Sequence, residues 1–299
     1  MGTPEFAVAS LAALVKAGCN IVGVVTAPDK PAGRGMQLQQ SAVKKYAVEQ
    51  GLYILQPDKL RNPDFVALLS TLKADLQVVV AFRMLPEVVW NMPPMGTINV
   101  HGSLLPQYRG AAPINWAVIN GEKETGVTTF KLKHEIDTGD ILLQEAFAIA
   151  ENESAGEVHD RMKEIGAALL VTTVKGLAEN TIQEIPQRNL NTTIKHAPKI
   201  FTETCKINWN NTVDSIHNQI RGLAPYPGAF TLLNGKTCKI ISSTKTTETP
   251  AIAPGEWHTD GKTFLHFAAA DGYINSTVLQ LEGKKRMTIE EFLRGFRIA

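Results

Sequence analysis

Hydrophobic and polar positions follow two alternating patterns over the first 180 residues. Short apolar runs rich in β-branched residues are typical of buried strands, and they occur at 21–26, 53–55, 76–82 and 97–100. Stretches with a helical period lie between them. Residues 4–17 form one, and residues 154–178 form another that opens with Ser154 and Glu157 in the spacing of a capping box. Strands that alternate with helices predict a doubly wound, Rossmann-like parallel sheet.

The pattern changes after residue 180. Residues 181–203 are mostly polar and contain Pro186 and Pro198, which indicates a linker. A helical stretch at 212–223 and several short β-like runs follow, separated by Gly and Pro turns, and this predicts a small β domain. We therefore expect a first domain over 1–180, a linker over 181–203 and a second domain over 204–299.

The first residues resemble a turn more than a strand. Gly2, Thr3 and Pro4 have the character of the tight turn that follows a first strand, and no strand precedes them in this sequence. A βαβ unit without its first strand would leave a slot in a parallel sheet. We therefore expect either that the start is assigned to an internal Met or that the sequence covers part of a longer chain. If the strand is truly absent, we expect a less stable fold.

Composition narrows the class of protein. The chain is 44% hydrophobic and 20% charged, as ordinary globular proteins are, and its net charge is +1. Any RNA contact must therefore come from local basic patches. The scattered Cys19, Cys205 and Cys238 form neither a metal-ligand spacing nor a disulfide framework, which fits a reducing compartment. Without a long apolar span or secretory signal in the sequence, we expect a cytoplasmic monomer that needs no metal and no membrane.

Candidate chemistry begins with Asn99 and His101. Side chains two residues apart on a strand share one side, and ligands bind at the carboxyl end of strands in open α/β sheets. A fixed amide donor beside an imidazole suits a carbonyl that becomes a tetrahedral oxyanion while a proton moves. Asp137 is the candidate carboxylate that orients the ring. The spacing alone favours the structural alternative, in which His101 is a hydrogen-bonded strand-end histidine and Asn99 caps a turn.

Three motifs carry a resemblance that favours the catalytic interpretation of Asn99 and His101 over the structural one. They are Asn-x-His followed by Ser-Leu-Leu-Pro at 99–106, Tyr-Arg-Gly-Ala-Ala-Pro at 108–113 and Asp-Thr-Gly-Asp at 137–140. Together they resemble the folate-dependent formyltransferase family. The resemblance covers nearly the whole chain and includes the stretches at 2–7, 28–35 and 221–229.

The resemblance implies a reaction and two partners. Within the family the chain is most similar to members that move the formyl group of 10-formyltetrahydrofolate to the α-amino group of methionine on initiator tRNA. His101 would then stabilise the oxyanion or pass the proton, Asn99 would donate a second hydrogen bond, and Asp137 would position His101. The second domain would be an open barrel of the oligonucleotide-binding type that contacts tRNA.

The resemblance also implies binding residues. The folate would contact the turn that carries Phe82, Met84 and Leu85, the run Ser103, Leu104, Leu105 and Pro106, and Asp140. Sequence alone would make the apolar ones core residues, and Arg83 departs from the small residue that is usual in this turn.

Basic residues are the candidates for RNA contact. Lys30 and Arg34 lie in a long polar stretch at 27–40, which matches neither a Walker A loop nor a dinucleotide motif. The resemblance places this stretch at the tRNA acceptor stem, although it could equally be a solvated loop. Arg109 could hold a substrate anion or cap a turn. Lys284, Lys285 and Arg286 could bind the RNA backbone or form a solvated edge.

Two other functions remain open at this point. The same catalytic residues could formylate a sugar or ribonucleotide amine, or hydrolyse the formyl donor. A non-catalytic RNA-binding protein could also keep the fold, although the presence of Asn99, His101 and Asp137 counts against it.

Overall fold

The computed structural model describes residues 1–32, 37–190 and 193–295. Its α-helices are α1 (Glu5–Lys16), α2 (Ala42–Glu49), α3 (Pro63–Thr71), α4 (Glu87–Trp90), α5 (Pro113–Ile119), α6 (Ala155–Ala178), α7 (Thr202–Cys205), α8 (Val213–Leu223) and α9 (Ile289–Leu293). None of these described helices has the length and apolar character needed to cross a membrane.

The described strands are two to eleven residues long. They are β1 (Val24–Val25), β2 (Lys30–Ala32), β3 (Gln37–Gln39), β4 (Ile54–Leu55), β5 (Gln77–Val79), β6 (Thr97–His101), β7 (Arg109–Gly110), β8 (Glu124–Lys131), β9 (Ile141–Ala148), β10 (His196–Ala197), β11 (Ala229–Leu233), β12 (Lys236–Thr246), β13 (Trp257–Thr259), β14 (Leu265–Ala268), β15 (Tyr273–Leu281) and β16 (Met287–Thr288). A 3-10 turn covers Gln187–Asn189.

The chain forms two compact units. The first unit contains Met1–Arg109, Gly126–Phe147 and Asp160–His196, and the second contains Gly110–Thr125, Ala148–His159 and Ala197–Ala299. Both units are discontinuous in sequence. The expected domain bounds at 180 and 204 stay a prediction.

The first unit has a mixed sheet with the order β5-β6-β8-β9. Strands β5 and β6 are parallel, with Val79 opposite Asn99, and β1 and β4 form a second parallel pair. The Rossmann-like fold class is confirmed, and β8 extends it as an antiparallel neighbour of β6, with Thr128 opposite His101. Because β5 and β6 are parallel, their carboxyl ends share one edge of the sheet.

Side-chain caps start helices α2 and α6. Ser41 accepts the N–H of Lys44 at the start of α2. Ser154 and Glu157 form the expected capping box at α6, and their hydrogen bonds lower the pKa of the Glu157 carboxyl. The stretch at 27–40 is predicted to be a loop, whereas the structure pairs β2 and β3 antiparallel within it.

The first residues of the chain pair with neighbouring strand segments of the first unit. The N–H of Gly2 donates to Val25 O at 3.1 Å, and Gly2 bridges Val80 in parallel register. A Cβ on Gly2 would lie 2.4 Å from the Cβ of Ala7, so only glycine fits between these elements. Beside this bridge, a cavity of about 140 Å³ is lined mostly by apolar side chains, among them Val22 and Val78.

The second unit is built on antiparallel strands in the order β11-β12-β15-β14-β13, with β16 paired to β15. Their alternating burial directs one face toward helix α8, whose Ile216, Ile220 and Leu223 are fully buried. Trp209 and Phe267 stack in this core with ring centroids 4.8 Å apart. This curled antiparallel sheet matches the small β domain predicted from sequence.

A buried histidine in the second unit titrates abnormally. His217 is 3% exposed, and its ring lies 3.0 Å from the hydroxyl of Ser243. The pKa of His217 is lowered to about 4, mainly because burial disfavours the charged ring and also because the nearby cations Lys245 and Arg221 repel it, against the opposite pull of Asp214. The ring is therefore neutral at physiological pH.

Candidate active site

Strand β6 places two polar side chains at the shared carboxyl edge of β5 and β6. Asn99 and His101 lie two residues apart and therefore on the same side of the strand. Asn99 is half-buried, and its side-chain amide makes no hydrogen bond to any described residue. His101 is 7% exposed and packs edge-on against Phe130, with ring centroids 6.3 Å apart. The amide is thus available to a ligand while the imidazole is held in place.

The imidazole has two polar neighbours, one for each ring nitrogen. Nε2 of His101 lies 3.0 Å from the backbone carbonyl of Tyr108, and Nδ1 lies 3.8 Å from Oδ2 of Asp137. A carbonyl oxygen only accepts, so Nε2 carries a proton and donates it. In the neutral ring, Nδ1 therefore carries the lone pair and can accept a proton. In the protonated ring, Nδ1–H faces the Asp137 carboxylate. The Tyr108 carbonyl, which the sequence does not reveal, fixes this orientation.

The loop that presents Asp137 is tightly held. Asp137 has φ of +55°, in the left-handed region, and Gly139 leaves no space for a side chain, because a Cβ there would lie 1.5 Å from Lys131 O. Gln187 donates from Nε2 to the carbonyl oxygens of Asp137 at 2.9 Å and Gly139 at 2.8 Å. Gln187 lies within the expected linker, and no motif in the sequence marks it.

Arg109 contacts the same glutamine. Its Nε and one terminal nitrogen lie 3.0 and 2.6 Å from Oε1 of Gln187. The guanidinium therefore holds another part of the site, and its expected contact with substrate stays a prediction.

The run after His101 forms a fixed wall. Ser103 donates its hydroxyl to Gln107 O at 2.6 Å. The hydroxyl of Thr128 donates to Ser103 O at 2.6 Å and accepts the N–H of Leu105 at 3.0 Å and Nε2 of Gln144 at 2.8 Å. Leu105 and Pro106 are buried, and Leu104 is partly buried. Because their polar groups are engaged internally, these residues offer a ligand shape more than hydrogen bonds.

The turn between β5 and α4, unlike this wall, has an exposed apolar side chain and unused backbone N–H groups. Met84 is 75% exposed, Phe82 is half-buried and Leu85 is buried. The N–H groups of these three residues donate to no described residue. Arg83 ties the turn to the neighbouring segment by donating to the carbonyls of Pro57 and Asp58. Exposed apolar surface beside unused N–H groups fits a flat heterocycle such as the pterin of a folate.

The remaining predicted residues are Asp140, Lys30, Arg34 and the basic turn at 284–286. Asp140 forms an ion pair with Lys133, with Oδ1 and Nζ 2.7 Å apart. Lys30 is exposed on β2, whereas Arg34 lies outside the described residues. In the second unit Lys284, Lys285 and Arg286 are all exposed in the turn between β15 and β16. Across the described ranges, no group of three or more His, Cys, Asp or Glu is placed to hold a metal ion.

Two family models match the chain. The model for formyl transferase covers residues 1–174, and the model for the formyl transferase C-terminal domain covers residues 199–297. The methionyl-tRNA formyltransferase of Bacteroides fragilis is 52% identical over 305 residues, which cover 100% of this chain and 94% of that protein. The methionyl-tRNA formyltransferase of Parabacteroides distasonis is 53% identical over 306 residues, with 99% and 94% covered.

Solved structures agree on the fold. A sugar 3N-formyl transferase crystallised with dTDP and 5-N-formyl-THF matches with a TM-score of 0.67 and 23% identity over 95% of this chain and 97% of that one. An N-formyltransferase from Helicobacter canadensis, in complex with folinic acid and dTDP-3-aminofucose, matches with a TM-score of 0.66 and 23% identity over 92% and 96%. The resemblance seen in the sequence motifs is confirmed by a family model over residues 1–174 and by full-length relatives above 50% identity, and the chain belongs to the formyl transferase family.

Proposed function

We propose that the chain transfers the formyl group of 10-formyltetrahydrofolate to the free α-amino group of methionyl-initiator tRNA, giving N-formylmethionyl-tRNA for translation initiation. The shared name of relatives that are 52% and 53% identical over the full chain supports this acceptor. The observation that carries the chemistry is the ring of His101, held between the Tyr108 carbonyl and the Asp137 carboxylate beside the amide of Asn99.

Asn99 serves the developing negative charge. When bound, 10-formyltetrahydrofolate supplies an activated formyl carbon, and attack by the neutral amine turns the formyl oxygen into an oxyanion. The side-chain amide of Asn99 has its N–H groups unused by the described residues, and it donates to that oxyanion. A fixed donor of this kind contributes roughly a hundred- to a thousand-fold in rate.

His101 moves the proton. Because Nε2–H donates to the Tyr108 carbonyl, Nδ1 has the lone pair that accepts the proton lost by the amine. The imidazolium formed in this way lies 3.8 Å from Oδ2 of Asp137, whose charge stabilises it. The same proton then passes to the folate nitrogen that loses the formyl group. One C–N bond forms, one C–N bond breaks, and the proton ends on the leaving nitrogen.

In this proposal, basic residues bind the tRNA. Lys30, Arg34, Arg109 and the turn at 284–286 would contact the phosphates or the acceptor end of the tRNA. The exposure of Lys30 and of the turn at 284–286 supports this assignment. The cytoplasmic location and the monomeric state are further parts of the proposal, and both follow from the sequence expectations.

The direct test offers two acceptors side by side. The purified chain is incubated with 10-formyltetrahydrofolate and methionine-charged initiator tRNA, and formyl-methionine is measured. A second tube contains an amino-sugar nucleotide in place of the tRNA. We expect rapid formylation of the tRNA alone. Formylation of the sugar alone would be consistent with the proposed roles of the catalytic residues, but it would overturn the assignment of tRNA as the acceptor.

A further inference from the structure

We infer that Gln187 is a positioning residue for the reaction, which sets the geometry of Asp137 and of the Tyr108–Arg109 segment around His101. The inference rests on the proposed formyl transfer and adds a residue that no motif identifies. Gln187 does not touch the imidazole. It acts through the two groups that do.

All the hydrogen-bonding capacity of this amide is directed at the site. Nε2 uses its two hydrogens on the carbonyls of Asp137 and Gly139, at 2.9 and 2.8 Å. Oε1 accepts hydrogen bonds from Nε and from one terminal nitrogen of Arg109, at 3.0 and 2.6 Å. The side chain is only 3% exposed, so water does not compete effectively for these bonds.

These contacts flank the two partners of His101. Asp137, which faces Nδ1, has left-handed backbone geometry that surrounding contacts must maintain. Tyr108, whose carbonyl accepts Nε2–H, directly precedes Arg109 and also has positive φ, at +57°. A single buried amide thus bridges the loop on one side of the ring to the segment on the other.

The chain beyond Gln187 continues the same attachment. The N–H of Tyr108 donates to Lys195 O at 2.6 Å. The side chain of Gln107 donates to Thr193 O and accepts the N–H of Lys195, both at 2.9 Å. Thr193 and Lys195 are therefore attached to the segment that carries the Tyr108 carbonyl.

The isosteric variant Gln187→Glu separates positioning from packing. A carboxylate keeps the size of the amide and still accepts from Arg109, but it cannot donate to the Asp137 and Gly139 carbonyls. We expect kcat to fall roughly ten- to a hundred-fold, because small displacements of catalytic groups have effects of this size. The KM values for folate and tRNA should stay within about twofold, because no substrate contact is removed.

A matched control exists in the second unit. Gln219 also donates from Nε2 to two carbonyls, Thr204 O at 2.8 Å and Lys206 O at 3.1 Å. Gln219→Glu removes the same kind of double contact from carbonyls that belong to none of the catalytic residues, and it should leave kcat unchanged. Equal kcat values for wild type and Gln187→Glu would overturn the inference, and so would an equal loss in both variants.

A second measurement does not need turnover. In protein labelled with ¹⁵N-histidine, the two-bond ¹H–¹⁵N spectrum reports the tautomer of His101. We expect the Nε2–H tautomer in the folded wild type and a mixture of tautomers in folded Gln187→Glu. An unchanged tautomer in Gln187→Glu would contradict the inference, whatever the activity of the wild type. A wild type that formylated neither acceptor would by itself overturn only the proposed function.

Discussion

The substitution Asp137→Asn tests the electrostatic role of the carboxylate. It removes one negative charge 3.8 Å from Nδ1 of His101 and keeps the size of the side chain. Coulomb's law at that distance, with an effective dielectric constant of about 20, gives ~4 kcal/mol for the lost attraction to the imidazolium. We therefore expect kcat to fall roughly a thousand-fold, since each ~1.4 kcal/mol corresponds to about tenfold. Asparagine tolerates the left-handed backbone at φ +55°, so the loop should keep its shape.

The assay is single-turnover formylation of methionyl-initiator tRNA at saturating folate and pH 7.5. The control is Glu135→Gln, which makes the same charge change two residues away on an exposed side chain and should keep kcat within about twofold of wild type. A loss of less than tenfold in Asp137→Asn, with the melting temperature unchanged, would refute the ion-pair argument. A comparable loss in the control would refute it as well.

Three further outcomes follow from the structure. His217 has a pKa of about 4 in the folded state against 6.5 when unfolded, so between these pH values the unfolded state alone binds the proton. The free energy of unfolding should therefore fall by ~2 kcal/mol as pH drops from 6.5 to 4, after allowance for solvent screening. Urea titrations at several pH values should show that His217→Gln no longer has this pH dependence of stability, whereas His196→Gln, at an exposed histidine, keeps it. Gly139→Ala should lower kcat at least about tenfold, because its Cβ collides with Lys131 O; a wild-type kcat would contradict the steric argument. Replacing the basic turn at 284–286 with glutamines should raise KM for tRNA and flatten its salt dependence, by a slope of about 0.9 per lost phosphate contact, while folate binding stays constant.

Local patterns predicted most of the elements of the fold. The alternation of apolar runs and helical stretches is a property of neighbouring residues, and it located the strand that carries Asn99 and His101. The capping box at Ser154 and Glu157 is equally local, and the structure contains both of its hydrogen bonds. The direction of β8 was not predictable in this way, because strand pairing depends on partners distant in sequence.

The supporting contacts of the site show the same limit. The pairing of His101 with Asp137 was proposed from motifs, and the structure brings the two side chains within ion-pair distance. Gln187 lies 50 residues from Asp137 in the sequence, in a polar stretch that reads as a linker. Its polarity looks like exposure to solvent, whereas in the fold it satisfies buried carbonyls. Only the three-dimensional structure distinguishes the two.

The hydroxyl of Thr128 has a consequence for how this protein can evolve. It has one donor and two acceptor sites, and all three are used, on Ser103, Leu105 and Gln144. Valine has nearly the same shape, yet it would leave the N–H of Leu105 without a partner in a dry environment, at a cost of about 1–3 kcal/mol. Serine alone among the small residues preserves the arrangement. Any substitution that removes this hydroxyl therefore disturbs the contacts of Ser103, Leu105 and Gln144 together, so this wall of the site responds to a single change as one unit.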